Sequence, residues 1–506
     1  MRIPVNRKDV RFFADSKKVI ARFLLLSPER TENLVNRVLE MPETMAVQVL
    51  NQTLREFAMR HRSITRIFEA NFNKVKWVIG NNLKNVSNEK RLLIGAYFTL
   101  EYSIEAAAFF NPSAVEAPDQ TDLEAGQKRV IVSLRATGEG HISSIVFRQM
   151  IIDANNDIQV LPSARRVEVT DVVKDHLYKK SSFTAKLEEM NLPMELCHLV
   201  LDQLQERFNY PDLVKAKIHA VGTLAEDSPY RPELEKIIWL ADSHYELHFS
   251  LDTDITERVI FPVSDFENRG IEDARFVKFT YDNGQTTYFA TYCAYNGTTI
   301  LPKLIQTEDF YNFKIRPLHG WGAQNKNLAL FPRKINGKFV MLSRIDGVNN
   351  YIMMSDKVTV WEDPIMIQQP KFPWEMVQVG NCGSPIETEK GWLLLTHGVG
   401  PMRRYSLGAS LLDLNDPTKE IGRLSEPLLV PNMEEREGYV PNVVYSCGSI
   451  INNGEVVIPY AMSDYASSVM TVSLNALLEK LISEGNADSG IAASKPGKPA
   501  WNIVER

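Results

Sequence analysis

Asn268-Arg269-Gly270-Ile271-Glu272-Asp273-Ala274-Arg275 sets two carboxylates and two guanidiniums side by side, directly ahead of the apolar runs Phe276–Tyr281 and Thr286–Tyr295. Neighbouring carboxylates repel, so a fold packs them beside a strand only where cations compensate or chemistry requires them. Gly270 lets the backbone come close to something else. The octet matters because its surroundings recur. Each recurrence starts with a polar segment containing Gly, Pro or Asn, runs through an apolar strand, a turn and a second apolar strand, and ends in a polar cluster.

Five segments follow this plan. They start at Phe110-Asn111-Pro112, Gly270–Arg275, Asn325-Lys326-Asn327, Asn381-Cys382-Gly383 and Asn442–Gly448. Their second strands end at Arg135, at Tyr295-Asn296-Gly297, at Arg344, at His397-Gly398 and at Ser463-Asp464. Asn336-Gly337 and Asn453-Gly454 are hairpin turns between alternating runs. A spacing of about sixty residues between the later repeats, with room for four short strands each, is that of propeller blades. The expected fold is therefore an all-β five-bladed β-propeller over residues 107–480, with a partly helical insertion at 152–265.

Residues 1–106 read as an N-terminal α-helical module. Ser27-Pro28 is a helix start, Leu50, Leu54 and Phe57 fall at helical spacing, and Pro42 interrupts the pattern. The block Asn88–Ala108, with Glu101 and Glu105 four apart, reads as a further helix whose carboxylates are solvated or pair along it. The module should pack on the main domain or mediate a homo-oligomer contact. Inside the insertion, Phe183–Phe208 reads as helix divided at Pro193, and the C-terminal tail 481–506 as weakly ordered after about 485.

With 57 basic and 63 acidic residues the net charge is −6, which gives no basic footprint for nucleic acid or anionic membrane. No stretch is apolar enough for a membrane span, and the charged first residues do not resemble a signal peptide. Four scattered cysteines lack metal spacing, so a reduced, cytoplasmic protein without metal is expected.

A propeller gathers equivalent positions of its blades at one funnel. Strand starts and ends place Asn111, Arg135, Asp273, Lys326, Arg344, His397 and Asp464 there, with Glu387 at the fourth start. That set can hold hydroxyls and move protons. Phe110-Asn111-Pro112, Gly-Ile-Glu-Asp-Ala-Arg, Asn325-Lys326-Asn327, Gly391-Trp392 through His397-Gly398, Leu411 through Pro417 and Val440-Pro441-Asn442 through Gly448 together resemble glycoside hydrolase family 130. These are the β-mannoside phosphorylases and β-1,2-mannosidases; the N-terminal segment resembles the extension of their longer-chain group.

The resemblance implies a five-bladed propeller that cleaves β-mannosidic bonds with inversion, without metal or organic cofactor. It implies Asp273 as general acid, working through the sugar 3-hydroxyl. Asn111, Arg135, Lys326 and Asp464 would line the mannose subsite, and His397 would contact phosphate. Two departures stand out. The run after Ala294-Tyr295-Asn296-Gly297 reaches Pro302-Lys303 without the usual Arg, and Ser384-Pro385-Ile386 is followed by Glu387 in place of a cation. An anion there would weaken phosphate binding and could instead activate water. Glu387 is thus expected to be the base, with Glu437 as the second carboxylate, in a β-1,2-mannosidase acting on manno-oligosaccharides. The runner-up is a mannoside phosphorylase using Lys326, His397, Arg316 and Arg344. A third reading is a non-catalytic glycan-binding propeller.

Overall fold

The structure, a computed structural model, describes residues 3–485 except Asp175, Asn191, Glu226, Asp227, Pro229, Asp265, Phe266, Asn296, Thr298 and Thr299. The 486–506 part of the tail and Asn296 of the second repeat lie outside the described residues. The remaining chain is rich in antiparallel sheet, with helices near its N-terminus and in the insertion.

Each of the five repeats builds one sheet. Their leading strands are Ala108–Glu116, Ile271–Thr280, Ala329–Leu330, Gln378–Asn381 and Val444–Tyr445. Each pairs with the strand expected to follow it: Lys128–Thr137, Thr286–Tyr295, Phe339–Ser343, Gly391–Val399 and Glu455–Met462. The leading strand of the first sheet packs on that of the second, and each later sheet meets its successor. Glu455–Met462 of the fifth sheet returns to Ala108–Glu116 of the first. Apolar side chains fill the gaps between sheets, as where Phe147 stacks on Phe313 and meets Phe276 edge-on. Asn453-Gly454 takes two left-handed residues (φ 40° and 76°), the conformation that joins twisted strands in a two-residue hairpin.

The N-terminal region departs from an all-helical module. Helices Pro28–Glu40, Glu43–Phe57, Ile64–Val75 and Asn88–Tyr97 share a core that buries Leu50, with Leu54 and Phe57 half-buried. Ser27 caps the first helix by accepting from the Arg30 amide, and the break falls at Met41-Pro42. Asn6–Phe12, however, is a strand that pairs with Ala466–Ser473 at the far end of the chain and so belongs to the fifth sheet. Thr99–Ser103 is also a strand, paired with Val19–Phe23. Glu101 and Glu105 are therefore not helix neighbours. Glu101 receives Arg60 (2.7 Å), while buried Glu105 receives Arg148 from the first sheet at 2.7–2.8 Å. In the insertion, helices Lys180–Glu189 and Met194–Leu201 flank Pro193 as expected. Two further helices complete a separate apolar core, and Tyr245–His248 adds to the second sheet.

Candidate active site

In the first four sheets a left-handed residue sits where the polar segment meets the leading strand: Asn111 (φ 51°), Asp273 (56°), Asn327 (70°) and Gly383 (106°). At the first two the ladder shifts register, between Phe110 and Ser113 and between Glu272 and Arg275. Such bulges re-aim side chains, and Asn and Asp tolerate the conformation best among non-glycines. Here they turn Asn111 onto Asp273, with Asn111 Nδ2 donating to Asp273 Oδ1 at 2.5 Å. Gly270 serves close approach: a Cβ there would lie 2.6 Å from the Ser143 amide nitrogen.

Around this pair the charges alternate. Arg135 donates to Glu272 (2.8 Å) and to Ser143 Oγ (2.9 Å), and lies 3.5 Å from Asp273. Lys326 donates to the other oxygen of Glu272 at 2.7 Å. Burial alone would raise the pKa of Asp273, but Arg135, Arg275, Lys326 and the Asn111 hydrogen bond overcome it and hold the carboxyl below its ordinary value. Glu272 is lowered in the same way by Arg135 and Lys326. Asp464 behaves oppositely. Loss of water, together with Asp273 and Glu272, pushes its pKa up to about 7 against the opposing Arg135 and Arg403. The proton this cluster holds near neutrality is thus on Asp464.

Asp464 therefore makes stability depend on pH. Its folded pKa lies above its ordinary value, so the fold favours the protonated form. That contribution is complete at low pH and is lost as pH rises through about 7. The wild-type melting temperature is expected to fall between about pH 5 and pH 8, and Asp464→Asn should fall less. Parallel melting curves across that range would refute the assignment.

A second cluster adjoins the first. Arg275 donates to the Asp273 carbonyl (3.0 Å) and to the Tyr445 hydroxyl (2.7 Å), which also accepts from Asn327. The Tyr445 ring lies 4.8 Å from that of His397, and His397 stacks on Tyr405. Arg344 Nη1 donates to His397 Nε2 at 3.2 Å, which fixes the other nitrogen as the donor to the Asn381 carbonyl. Burial, with Arg344 and Arg275 close by, keeps His397 neutral. Both of its ring nitrogens are engaged by protein, so His397 positions Arg344. Gly380 makes room for that ring; a Cβ would come within 2.3 Å of it. With its amide turned to donate to Gly347, Gln378 accepts from Arg344 at 2.9 Å. Arg344 Nε and Asn111 Oδ1 are buried with no hydrogen-bond partner among the described residues, as suits groups that bond a ligand.

Several expected residues lie elsewhere. Glu387 is opposite Trp392, whereas His397 is opposite Gly380, so the two occupy opposite ends of one strand. Five residues of strand span roughly 16 Å. Glu387 is 41 % exposed and forms a fork with Arg333 at 2.5 and 2.7 Å; it is not the base. Glu437 is exposed, and the carboxylate that matters in its run is buried Glu435, held by Arg7 and Tyr460. Arg316 pairs with Gln306 on an outer strand of the second sheet. Lys303 is wholly buried against Glu267 at 2.8 Å and is no substitute for the missing arginine. Glu272, Arg275 and Tyr445 join the cluster although the expected set of strand starts and ends does not include them. The first two stand in the opening octet, where charge repulsion was the signal; Tyr445 left none.

A family model described as beta-1,4-mannooligosaccharide phosphorylase matches residues 232–483. A 1,2-beta-oligomannan phosphorylase of Thermoanaerobacter sp. is 36% identical over 221 residues, covering 41% of this chain and 70% of that protein. The chain belongs to glycoside hydrolase family 130. A beta-1,2-mannobiose phosphorylase of Listeria innocua is 30% identical over 301 residues, 58% of this chain and 80% of the relative. A beta-1,4-mannooligosaccharide phosphorylase of Ruminococcus albus is 28% identical, over 46% of this chain and 72% of its own length. Family 130 membership agrees with the resemblance drawn from the motifs and makes the chain an enzyme of a family acting on β-mannosides.

Proposed function

We propose that this family 130 chain is an inverting β-mannoside phosphorylase of β-1,2-linked manno-oligosaccharides, built as a five-bladed propeller. The contacts that run from sheet to sheet and return from fifth to first support the propeller. The single observation that carries the reaction is Arg344, a buried guanidinium with no carboxylate partner among the described residues, beside neutral His397, Tyr405 and Tyr445. With Glu387 removed from the site, this side carries cations where a hydrolase would need a base. A phosphate dianion, itself the nucleophile, satisfies Arg344 and dispenses with the base. Phosphorolysis, the expected runner-up, is thereby better supported than hydrolysis, and the names of the relatives point the same way.

In this reading Asn111, Arg135, Glu272, Lys326 and Asp464 grip the hydroxyls of the terminal mannose. A phosphate oxygen held by Arg344 attacks the anomeric carbon, and the bond from that carbon to the glycosidic oxygen breaks. Asp273 supplies the proton to the departing oxygen, through the sugar 3-hydroxyl as the family resemblance implies. Its low proton affinity in the free protein rises when the phosphate dianion adds negative charge nearby. The products are α-mannose 1-phosphate and a chain shorter by one sugar. The test is to incubate the protein with β-1,2-mannobiose while varying phosphate. Mannose 1-phosphate that accumulates in proportion to phosphate is expected; free mannose alone, at a rate indifferent to phosphate, would restore the hydrolase.

A further inference from the structure

Three segments crowd around the Asp464 turn without taking part in the chemistry above. The turn Pro401–Arg403 places Met402 and Arg403 in consecutive left-handed conformations (φ 57° and 52°), with Met402 88% exposed. The loop 432–442 carries Tyr439, 54% exposed, whose hydroxyl is 3.1 Å from His141 Nδ1 on the 139–141 loop of the first sheet. Gly438 of the 432–442 loop packs against the Ser463-Asp464-Tyr465 turn so closely that a Cβ would meet Ser463 O at 2.3 Å. The Tyr405 amide donates to the Asn442 carbonyl (3.1 Å), tying the Met402 turn to the Tyr439 loop. Arg403 lies close enough to act on the Asp464 carboxylate through space.

Beneath this rim the support is firm. Glu435 accepts both arms of Arg7 (2.9 and 3.1 Å) and the Tyr460 hydroxyl (2.7 Å), and its carbonyl accepts from Ser463 Oγ (2.6 Å). A rigid base thus presents an exposed aromatic ring, a thioether and a guanidinium beside the catalytic cluster. Paired left-handed non-glycine residues are sterically costly and persist where their surroundings or their function hold them. The exposed Tyr439 ring sits on a loop held against the Asp464 turn, with Arg403 beside that carboxylate, so a ligand reaching beyond the cluster would meet both. Sugars suit such a surface: their C–H faces lie on aromatic and thioether groups, while their hydroxyls accept from Arg and His.

We propose that Tyr439, His141, Met402 and Arg403 form an outer subsite that holds the sugars of a β-manno-oligosaccharide beyond the bond being cleaved. The proposal rests on the mannoside reading above and adds a preference for chains longer than the disaccharide. Its test compares kcat/KM for β-1,2-linked di- and tetrasaccharide, at saturating phosphate, in the full chain and in Tyr439→Ala and Arg403→Ala. Wild type is expected to favour the tetrasaccharide, and each variant to reduce the tetra-to-di ratio by about tenfold. No wild-type preference, or a ratio that the variants leave unchanged, overturns the subsite. Both side chains are exposed, so the variants should fold, and unchanged melting temperatures are the check. Should phosphate have no effect, the same ratio is read from released mannose, so failure of the subsite and failure of phosphorolysis are told apart.

Discussion

Asp273→Asn is expected to cut turnover of β-1,2-mannobiose by about a thousandfold, within the range a positioned general acid contributes. The substitution keeps the shape of the side chain and an oxygen to accept from Asn111. What it removes is the group that takes up and transfers the proton, and, in the free protein, one negative charge among Arg135, Arg275 and Lys326. Because Glu272 still receives both Arg135 and Lys326, the mannose-gripping geometry should survive. Calorimetric binding of the disaccharide should therefore change by no more than about threefold, while product formation nearly stops. A variant that keeps more than about a tenth of the activity would remove Asp273 from the role of acid.

Arg344→Met should raise the phosphate KM by about a hundredfold, the scale expected for losing a buried charge-assisted contact to a dianion. The same change should not destabilise the empty protein. A guanidinium buried beside Arg275 without a carboxylate partner is an unfavourable feature, and methionine replaces it with apolar volume. Phosphate should thus raise the melting temperature of the wild type, because a ligand that binds only the folded state stabilises it, and should not raise that of the variant. Equal phosphate-induced shifts in the two proteins would place the anion elsewhere.

Much of this site could be read from the chain. The repeats put Asn111, Arg135, Asp273 and Lys326 at equivalent strand ends, and the structure joins them by hydrogen bonds and ion pairs. Glu387 stands near the start of its repeat in sequence but not at the funnel end of its strand. Three residues along a strand carry a side chain roughly 10 Å, so a residue following Ser384 has already left the end where His397 sits. The Arg275–Tyr445–Asn327 network was illegible for a different reason. Its members come from three sheets, and only the packing of those sheets brings them together. The charges of Asn6-Arg7-Lys8-Asp9 similarly concealed a strand, since an edge strand keeps its polar side chains in water.

That edge strand has a consequence for the order in which the molecule is made. Asn6 lies opposite Thr471, so this strand must wait for a partner made 465 residues later (471 − 6). At 5–20 residues per second the wait is roughly 25 to 90 s. During that interval the strand has no ladder to join, and Arg7 has no Glu435 to hold until the 432–442 loop is made. The charged face of the waiting strand discourages pairing with the wrong neighbour. The Asp464 turn forms only once Glu455–Met462 and Ala466–Ser473 have paired. The Asp464 corner of the cluster is therefore completed later than the segments that carry Asp273, Arg135 and Lys326.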